Sequence, residues 1–105
     1  MSASSEPVAN GHAKPAAVRR TVRYEGRVQG VNFRRSAARV ALGYPVTGYV
    51  RNERDGTVRL IGEGDPAVLD SFLDDVAEVM EGFITGVRVE EGMATDEFVR
   101  FTIKQ

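Results

Sequence analysis

The chain has 105 residues, enough for one domain with a single modest hydrophobic core. Its 14 basic and 15 acidic residues leave a net charge of −1, which argues against a non-specific nucleic-acid binder. There is no cysteine, and the only histidine, His12, lies in a stretch without the pattern of a folded element. Disulfide scaffolds, zinc sites and Cys–His or Ser–His–Asp catalysis are therefore excluded.

Residues 1–18 are rich in Ser, Ala, Pro and Gly and show no hydrophobic periodicity. This composition predicts a disordered tail ahead of a folded domain over residues 19–105. A processed targeting segment is the alternative interpretation, although the stretch lacks the basic amphipathic pattern of one. No apolar run approaches the length of a membrane span, so the cytoplasm is the expected compartment.

The first predicted strand and helix follow this tail. Apolar and charged residues alternate over residues 21–28, which is typical of a half-buried strand. Apolar residues at helical spacing then predict a helix over residues 33–42, with Asn32 as its N-cap. Gly43 and Pro45 are expected to end this helix.

The next segment predicts a β-hairpin. Strands are expected over residues 46–52 and 57–62, and the Asp55-Gly56 pair between them is the strongest hairpin signal in the chain. Asn52 stands at the end of the first of these strands. Its residue type alone favours a structural turn residue at that position.

The second predicted helix has clear end signals. Asp65 suits the N-cap, Pro66 the first helical position and Gly82 the residue that ends the helix. The predicted apolar stripe consists of Leu69, Phe72, Leu73, Val76 and Met80. The acidic run on the same helix is interpreted as a solvated face rather than a metal site; it comprises Asp70, Asp74, Asp75 and Glu78.

Two further strands are predicted over residues 84–90 and 99–103, and these complete the order β-α-β-β-α-β. Two right-handed βαβ units in this order fold most simply into a mixed sheet with both helices on one face. The expected class is therefore α+β. Four phenylalanines are expected to contribute to the core: Phe33, Phe72, Phe98 and Phe101.

Residues 24–35, which join the first strand to the first helix, are rich in glycine and arginine. Gly26 and Gly30 permit positive φ, which can turn successive backbone N–H groups toward one centre. The first N–H groups of a helix have no partner within it, and the helix dipole favours an anion beside them. The positive charge of Arg34 is unfavourable at the partly positive N-terminus of a helix, and a bound phosphate or carboxylate would offset this cost. A plain turn followed by solvated arginines is the alternative interpretation.

Two segments resemble the signature segments of the acylphosphatase family: GRVQGVNFR, residues 26–34, and GYVRNERDGTV, residues 48–58. Arg34 and Asn52 are 18 positions apart, as the corresponding residues are in that family. The resemblance continues over residues 22–104.

This resemblance implies a ferredoxin-like α+β sandwich that hydrolyses acyl phosphates to a carboxylate and inorganic phosphate. Arg34 would bind the phosphate and Asn52 would orient the attacking water. Neither a metal nor an organic cofactor is expected, and a monomer that binds no nucleic acid or membrane would suffice. The implied phosphate-binding residues are Gly26, Arg27, Val28, Gln29, Gly30, Val31, Asn32, Phe33 and Arg34.

Three other functions are alternatives to this one. An RNA-recognition module of the same fold order would carry aromatics on its central strands, and residues 58–64 carry none. A carbamoyl-phosphate-handling domain of hydrogenase-maturation proteins would be followed by cysteine-rich segments, which are absent from this chain. An inactive regulatory relative is disfavoured because both implied site residues are present. Six arginine side chains are interpreted as solvated sheet and helix surface rather than as a nucleic-acid-binding patch: Arg19, Arg20, Arg23, Arg27, Arg35 and Arg39.

Overall fold

A computed structural model describes residues 16–105. The predicted order of elements is confirmed, whereas the predicted tail and His12 lie almost wholly outside the described residues. The elements are β1 (Val18–Gly26), α1 (Phe33–Ala41), β2 (Thr47–Asn52), β3 (Val58–Gly64), α2 (Pro66–Val79), β4 (Ile84–Met93) and β5 (Phe101–Lys104).

The strands form one five-stranded mixed sheet in the order β4-β1-β3-β2-β5. Neighbouring strands are antiparallel except for β2 and β5, which are parallel. Both helices contribute buried side chains to the hydrophobic core on one face of this sheet, as the sequence predicts. No helix in the described range is long and apolar enough to cross a membrane.

The core follows the alternation of the strands and the apolar stripes of the helices. Val22 and Tyr24 of β1 face the helices and are 1% and 2% exposed. Leu73 of the predicted stripe is half-buried and packs against this core. The prediction for Phe98 needs correction, since Phe98 packs outside the core, with its ring 5.8 Å from that of Tyr49. The largest fully buried core side chains are Tyr24, Phe33, Phe72, Leu60 and Leu69.

Most strand boundaries differ from their predictions by one to three residues. Val18, assigned to the tail, is the first residue of β1, because it pairs with Met93 of β4 and Gly64 of β3. The same pairing extends β4 beyond its predicted end at residue 90, to Met93. The strand β5 begins at Phe101, and Val99 before it is exposed.

The two helix N-termini are built differently. The Asp65 Oδ1 atom accepts a hydrogen bond from the Ala67 N–H at 2.8 Å, and Pro66 is the first helical residue, so this capping prediction is confirmed. Asn32 precedes α1, but its side chain makes no capping hydrogen bond. It adopts a left-handed conformation with φ of 64°, which asparagine tolerates better than most residues.

The β4–β5 connection lies against the sheet face that the helices leave open, and Glu63 holds it there. The Glu63 side chain is almost completely buried, and it accepts hydrogen bonds from Arg19 Nε at 2.7 Å and from the Thr95 and Asp96 N–H groups at 3.0 Å. Arg19 is therefore a largely buried partner rather than the solvated arginine that the sequence suggests.

We expect Glu63→Gln to destabilise the fold in a pH-dependent way. Burial alone would raise the pKa of Glu63, but the Thr95 N–H and the Arg19 guanidinium outweigh it and hold this pKa below its ordinary value. The ionised carboxylate therefore adds stability above the ordinary glutamate pKa of about 4.3, and this is lost as the pH falls through the lower folded pKa. At pH 7 the free energy of unfolding should fall by about 1–3 kcal/mol.

Chemical denaturation at neutral and acidic pH measures this effect. The exposed Glu91 pairs with Arg20, so Glu91→Gln is a matched control and should change stability little. A loss for Glu63→Gln that is the same at every pH would contradict a role for the ionised carboxylate.

Candidate active site

A pocket of about 280 Å³ lies between the end of β2 and the start of α1. It brings together Arg34 and Asn52, which come from different elements. Arg35, predicted to be a solvated surface arginine, also lines the pocket, as do Ile103 and Gln105 at the β5 end of the sheet. The lining residues are Val28, Gly30, Asn32, Phe33, Arg34, Arg35, Asn52, Ile103 and Gln105.

The segment between β1 and α1 takes its shape from two left-handed residues. Gly30 has φ of 78° and Asn32 has φ of 64°. Left-handed residues can turn successive N–H groups toward the same side of the chain, which makes an anion-binding concavity. Both residues line the pocket.

The backbone N–H groups of residues 28–35 have no hydrogen-bond acceptor among the described residues. The first N–H that is bonded in α1 belongs to Ser36, which donates to the Asn32 carbonyl oxygen at 2.9 Å. An unpaired N–H costs free energy where water is excluded, and the N-terminus of a helix is partly positive. This segment is therefore suited to hold an anion.

Arg34 lies in the first turn of α1, which contains no acidic residue. Its Nη1 atom donates to the Lys104 carbonyl oxygen at 3.1 Å, and this contact ties the guanidinium to β5. The other guanidinium N–H groups make no hydrogen bond to a described residue, so they are free to bind two oxygens of one anion.

Asn52 is the last residue of β2, where it pairs with Val58. The turn itself lies further on, since the Glu53 N–H donates to the Thr57 carbonyl oxygen at 2.9 Å and Asp55 accepts from Thr57. Within residues 16–105 the Asn52 carboxamide makes no hydrogen bond. Its position thus favours a site residue over a structural turn residue.

Gln29 does not direct its side chain at the pocket. Its Nε2 atom donates to the carbonyl oxygens of Glu53 and Thr57, at 2.7 and 2.8 Å. The Gln29 carboxamide therefore connects the loop before α1 to the hairpin that follows Asn52. The sequence motif contained this residue but gave no sign of its partners.

Three residues of the predicted phosphate-binding segment make contacts within the protein that do not serve a ligand. The Arg27 N–H donates to the Phe83 carbonyl oxygen at 2.8 Å, so this group is not free for a ligand, which corrects the prediction. At Gly26, with φ of 124°, a Cβ atom would lie 2.3 Å from the Phe83 carbonyl oxygen, so this glycine is required for packing. Val31 packs against the core.

The acidic run of α2 is partly paired rather than wholly solvated. Asp70 accepts from Arg20 Nη1 at 2.6 Å, and Asp75 accepts from the Tyr44 hydroxyl. In the described part of the chain, no three His, Asp or Glu side chains group as a metal site would need.

Comparison with known proteins shows where the chain belongs. The Acylphosphatase family profile matches residues 20–103. An acylphosphatase from Methylococcus capsulatus is 44% identical over 82 residues, which cover 74% of this chain and 86% of the relative. These matches show that the chain belongs to the Acylphosphatase family.

Solved structures agree with this assignment. The crystal structure of acylphosphatase from Bacillus subtilis is similar with a TM-score of 0.77 at 30% identity, over 84% of this chain and 99% of that one. Full-length HypF in the phosphate- and nucleotide-bound form is also similar, with a TM-score of 0.77 at 27% identity. That match covers 87% of this chain but only 12% of HypF.

Proposed function

We propose that the chain hydrolyses acyl phosphates to a carboxylate and inorganic phosphate, at the pocket between α1 and β2. Family membership supports the reaction. One observation supports this choice of site. The backbone N–H groups of residues 28–35 have no acceptor among the described residues, and this segment lines the pocket.

In this proposal the phosphate group binds to N–H groups of residues 28–35, with Gly26 and Arg27 left out. Arg34 adds a charged fork that contacts two phosphate oxygens. Donors fixed before the substrate arrives also stabilise the charge that the phosphoryl oxygens carry in the transition state.

Asn52 is proposed to orient the attacking water. Its carboxamide oxygen accepts a hydrogen bond from the water, but an amide cannot remove a proton at neutral pH. The water oxygen bonds to phosphorus while the bond from phosphorus to the acyl oxygen breaks, and the electron pair leaves on the carboxylate. The proton of the water passes to a phosphate oxygen. A carboxylate is a good leaving group, so no strong general acid is required.

A hydrolysis assay tests the reaction. Benzoyl phosphate should be hydrolysed rapidly and p-nitrophenyl phosphate, a monoester with a poorer leaving group, slowly or not at all. Activity should persist in EDTA, since the proposed groups all belong to the chain. Equal rates on the two substrates, or activity lost in EDTA and restored by Mg²⁺, would contradict the proposal.

We expect Gln29→Ala to lower kcat by about tenfold to a hundredfold, because the loop and Asn52 would lose their fixed separation. The affinity for inorganic phosphate should change much less, since no phosphate donor is removed. Steady-state kinetics with phosphate as a competitive inhibitor separates the two effects. Gln29→Glu, which keeps the shape but cannot donate to the two carbonyl oxygens, should behave like Gln29→Ala. Wild-type turnover in either variant would contradict the role.

A monomer that acts in the cytoplasm is part of the proposal. The compartment is supported by composition alone, because the chain has no cysteine and no apolar run of membrane-spanning length. A monomer is proposed because the residues of the proposed site all belong to one chain.

A further inference from the structure

Each strand of the sheet contributes one basic residue to a continuous line across its helix-free face. Arg23 of β1 lies directly opposite Arg88 of β4 and Arg59 of β3. Arg51 of β2 lies directly opposite Arg59 and beside Lys104 of β5. We call these five residues the basic row. With neighbouring strands about 4.8 Å apart, the row extends over about 19 Å.

The basic row opposes folding unless anions neutralise it. Like charges directly opposite each other on adjacent strands are destabilising, and here every neighbouring pair is of that kind. Two carboxylates of the hairpin offset the central part: Asp55 lies 3.1 Å from Arg23 and Glu53 lies 3.0 Å from Arg51.

The ends of the row have no such partner within residues 16–105. No carboxylate there forms an ion pair with Arg88, although Glu90 lies on the same strand face and lines the same groove. The Lys104 ammonium lies over the Tyr49 ring, 4.4 Å from its centre. The row is therefore a line of cations with too few carboxylates, on a protein whose net charge is −1.

We propose that the basic row binds a linear polyphosphate chain that lies across the strands. Arginine forks bind phosphate oxygens in pairs, and a line of forks fits a line of phosphates. Arg23, Arg59 and Arg88 line a groove of about 370 Å³, more than ten times the roughly 30 Å³ that one water occupies in the liquid.

The neighbouring residues disfavour other anionic partners. Tyr49, next to the row on the same face, is only 8% exposed, and the Lys104 ammonium and the Phe98 ring pack against it, so the Tyr49 ring is not available for stacking bases. The exposed apolar residues of β4, Val87 and Val89, pair with Tyr24 and Val22 and so lie on the helix side, away from any membrane that approached the row. An acidic peptide strand would add along a sheet edge, whereas the row runs across the strands.

Calorimetric titration of the full chain with linear inorganic polyphosphate tests the proposal. Saturating inorganic phosphate is included so that the pocket at α1 is occupied. Arg23→Gln/Arg88→Gln removes two charges from the row, and Arg39→Gln/Arg100→Gln removes two exposed charges elsewhere. The row variant should bind polyphosphate at least about tenfold more weakly, with a smaller salt dependence, and the control should bind like wild type. Benzoyl phosphate hydrolysis should be unchanged in both variants.

Four results would overturn the proposal. Equal weakening in the two double variants would indicate attraction by overall charge alone, and loss of binding in Arg34→Ala would place the polyphosphate in the pocket. Tighter binding of a single-stranded oligonucleotide or of polyglutamate, at the same number of charges, would identify a different class of partner. A lower Tm for the row variant than for wild type would contradict the premise that the facing arginines oppose folding. Retained polyphosphate binding in Arg34→Ala would support a site separate from the proposed hydrolysis.

Discussion

Replacing Arg34 with alanine should lower kcat/KM for benzoyl phosphate by about a thousandfold or more, with the fold intact. The expected size follows from the role, since an arginine on a transferring phosphoryl group is worth about 10³–10⁵ in rate. The same variant should lose competitive inhibition by inorganic phosphate, because the charged fork acts in the ground state as well. Arg34→Lys should also be strongly impaired, since an ammonium cannot reproduce two parallel hydrogen bonds.

Arg39→Ala is the matched control for this change. Arg39 is an exposed arginine of the same helix but does not line the pocket, so its loss should leave kcat/KM near wild type. Circular dichroism and thermal unfolding should show that Arg34→Ala is folded, as expected for a half-buried side chain at a helix start. Wild-type turnover of benzoyl phosphate by Arg34→Ala would remove Arg34 from the mechanism.

Asn52→Ala should separate binding from turnover. We expect kcat to fall by about a hundredfold to a thousandfold, because the attacking water loses the group that orients it. The inhibition constant for inorganic phosphate should stay within a few-fold of wild type, since Asn52 contributes none of the proposed phosphate donors. Parallel kinetics with benzoyl phosphate and inorganic phosphate measures both quantities on one sample.

Asn32→Gly provides a second amide replacement in the same pocket. Asn32 contributes a left-handed backbone rather than a side-chain cap, and glycine adopts that conformation readily, so this variant should be nearly as active as wild type. The assigned roles would be reversed if Asn52→Ala lost phosphate affinity and kept its turnover.

Features that depend on local chemistry could be predicted from the sequence. The Asp65-Pro66 start of α2 and the Asp55-Gly56 turn depend on residues within a few positions of one another, and both are found. The likeness of residues 26–34 and 48–58 to known signatures identified Arg34 and Asn52, which do line one pocket. In each of these cases the relevant partners are close in sequence or form a known pattern.

Features that depend on long-range pairing could not be predicted. The Arg27 N–H donates a hydrogen bond to Phe83, and the Gln29 carboxamide donates to Glu53 and Thr57. These contacts depend on how segments distant in sequence meet in the fold. The burial of Glu63 by the β4–β5 connection is of the same kind. The basic row appears only when the register of all five strands is known, because its members look like isolated basic surface residues in the sequence.

The most direct test of the central claim is a titration of ¹⁵N-labelled protein with inorganic phosphate, followed by backbone amide chemical shifts. We expect the largest saturable shifts in the N–H groups of residues 28–35, and we expect them to vanish in Arg34→Ala. Shifts that concentrate instead on the helix-free face of the sheet, or that persist unchanged without the Arg34 guanidinium, would contradict this site.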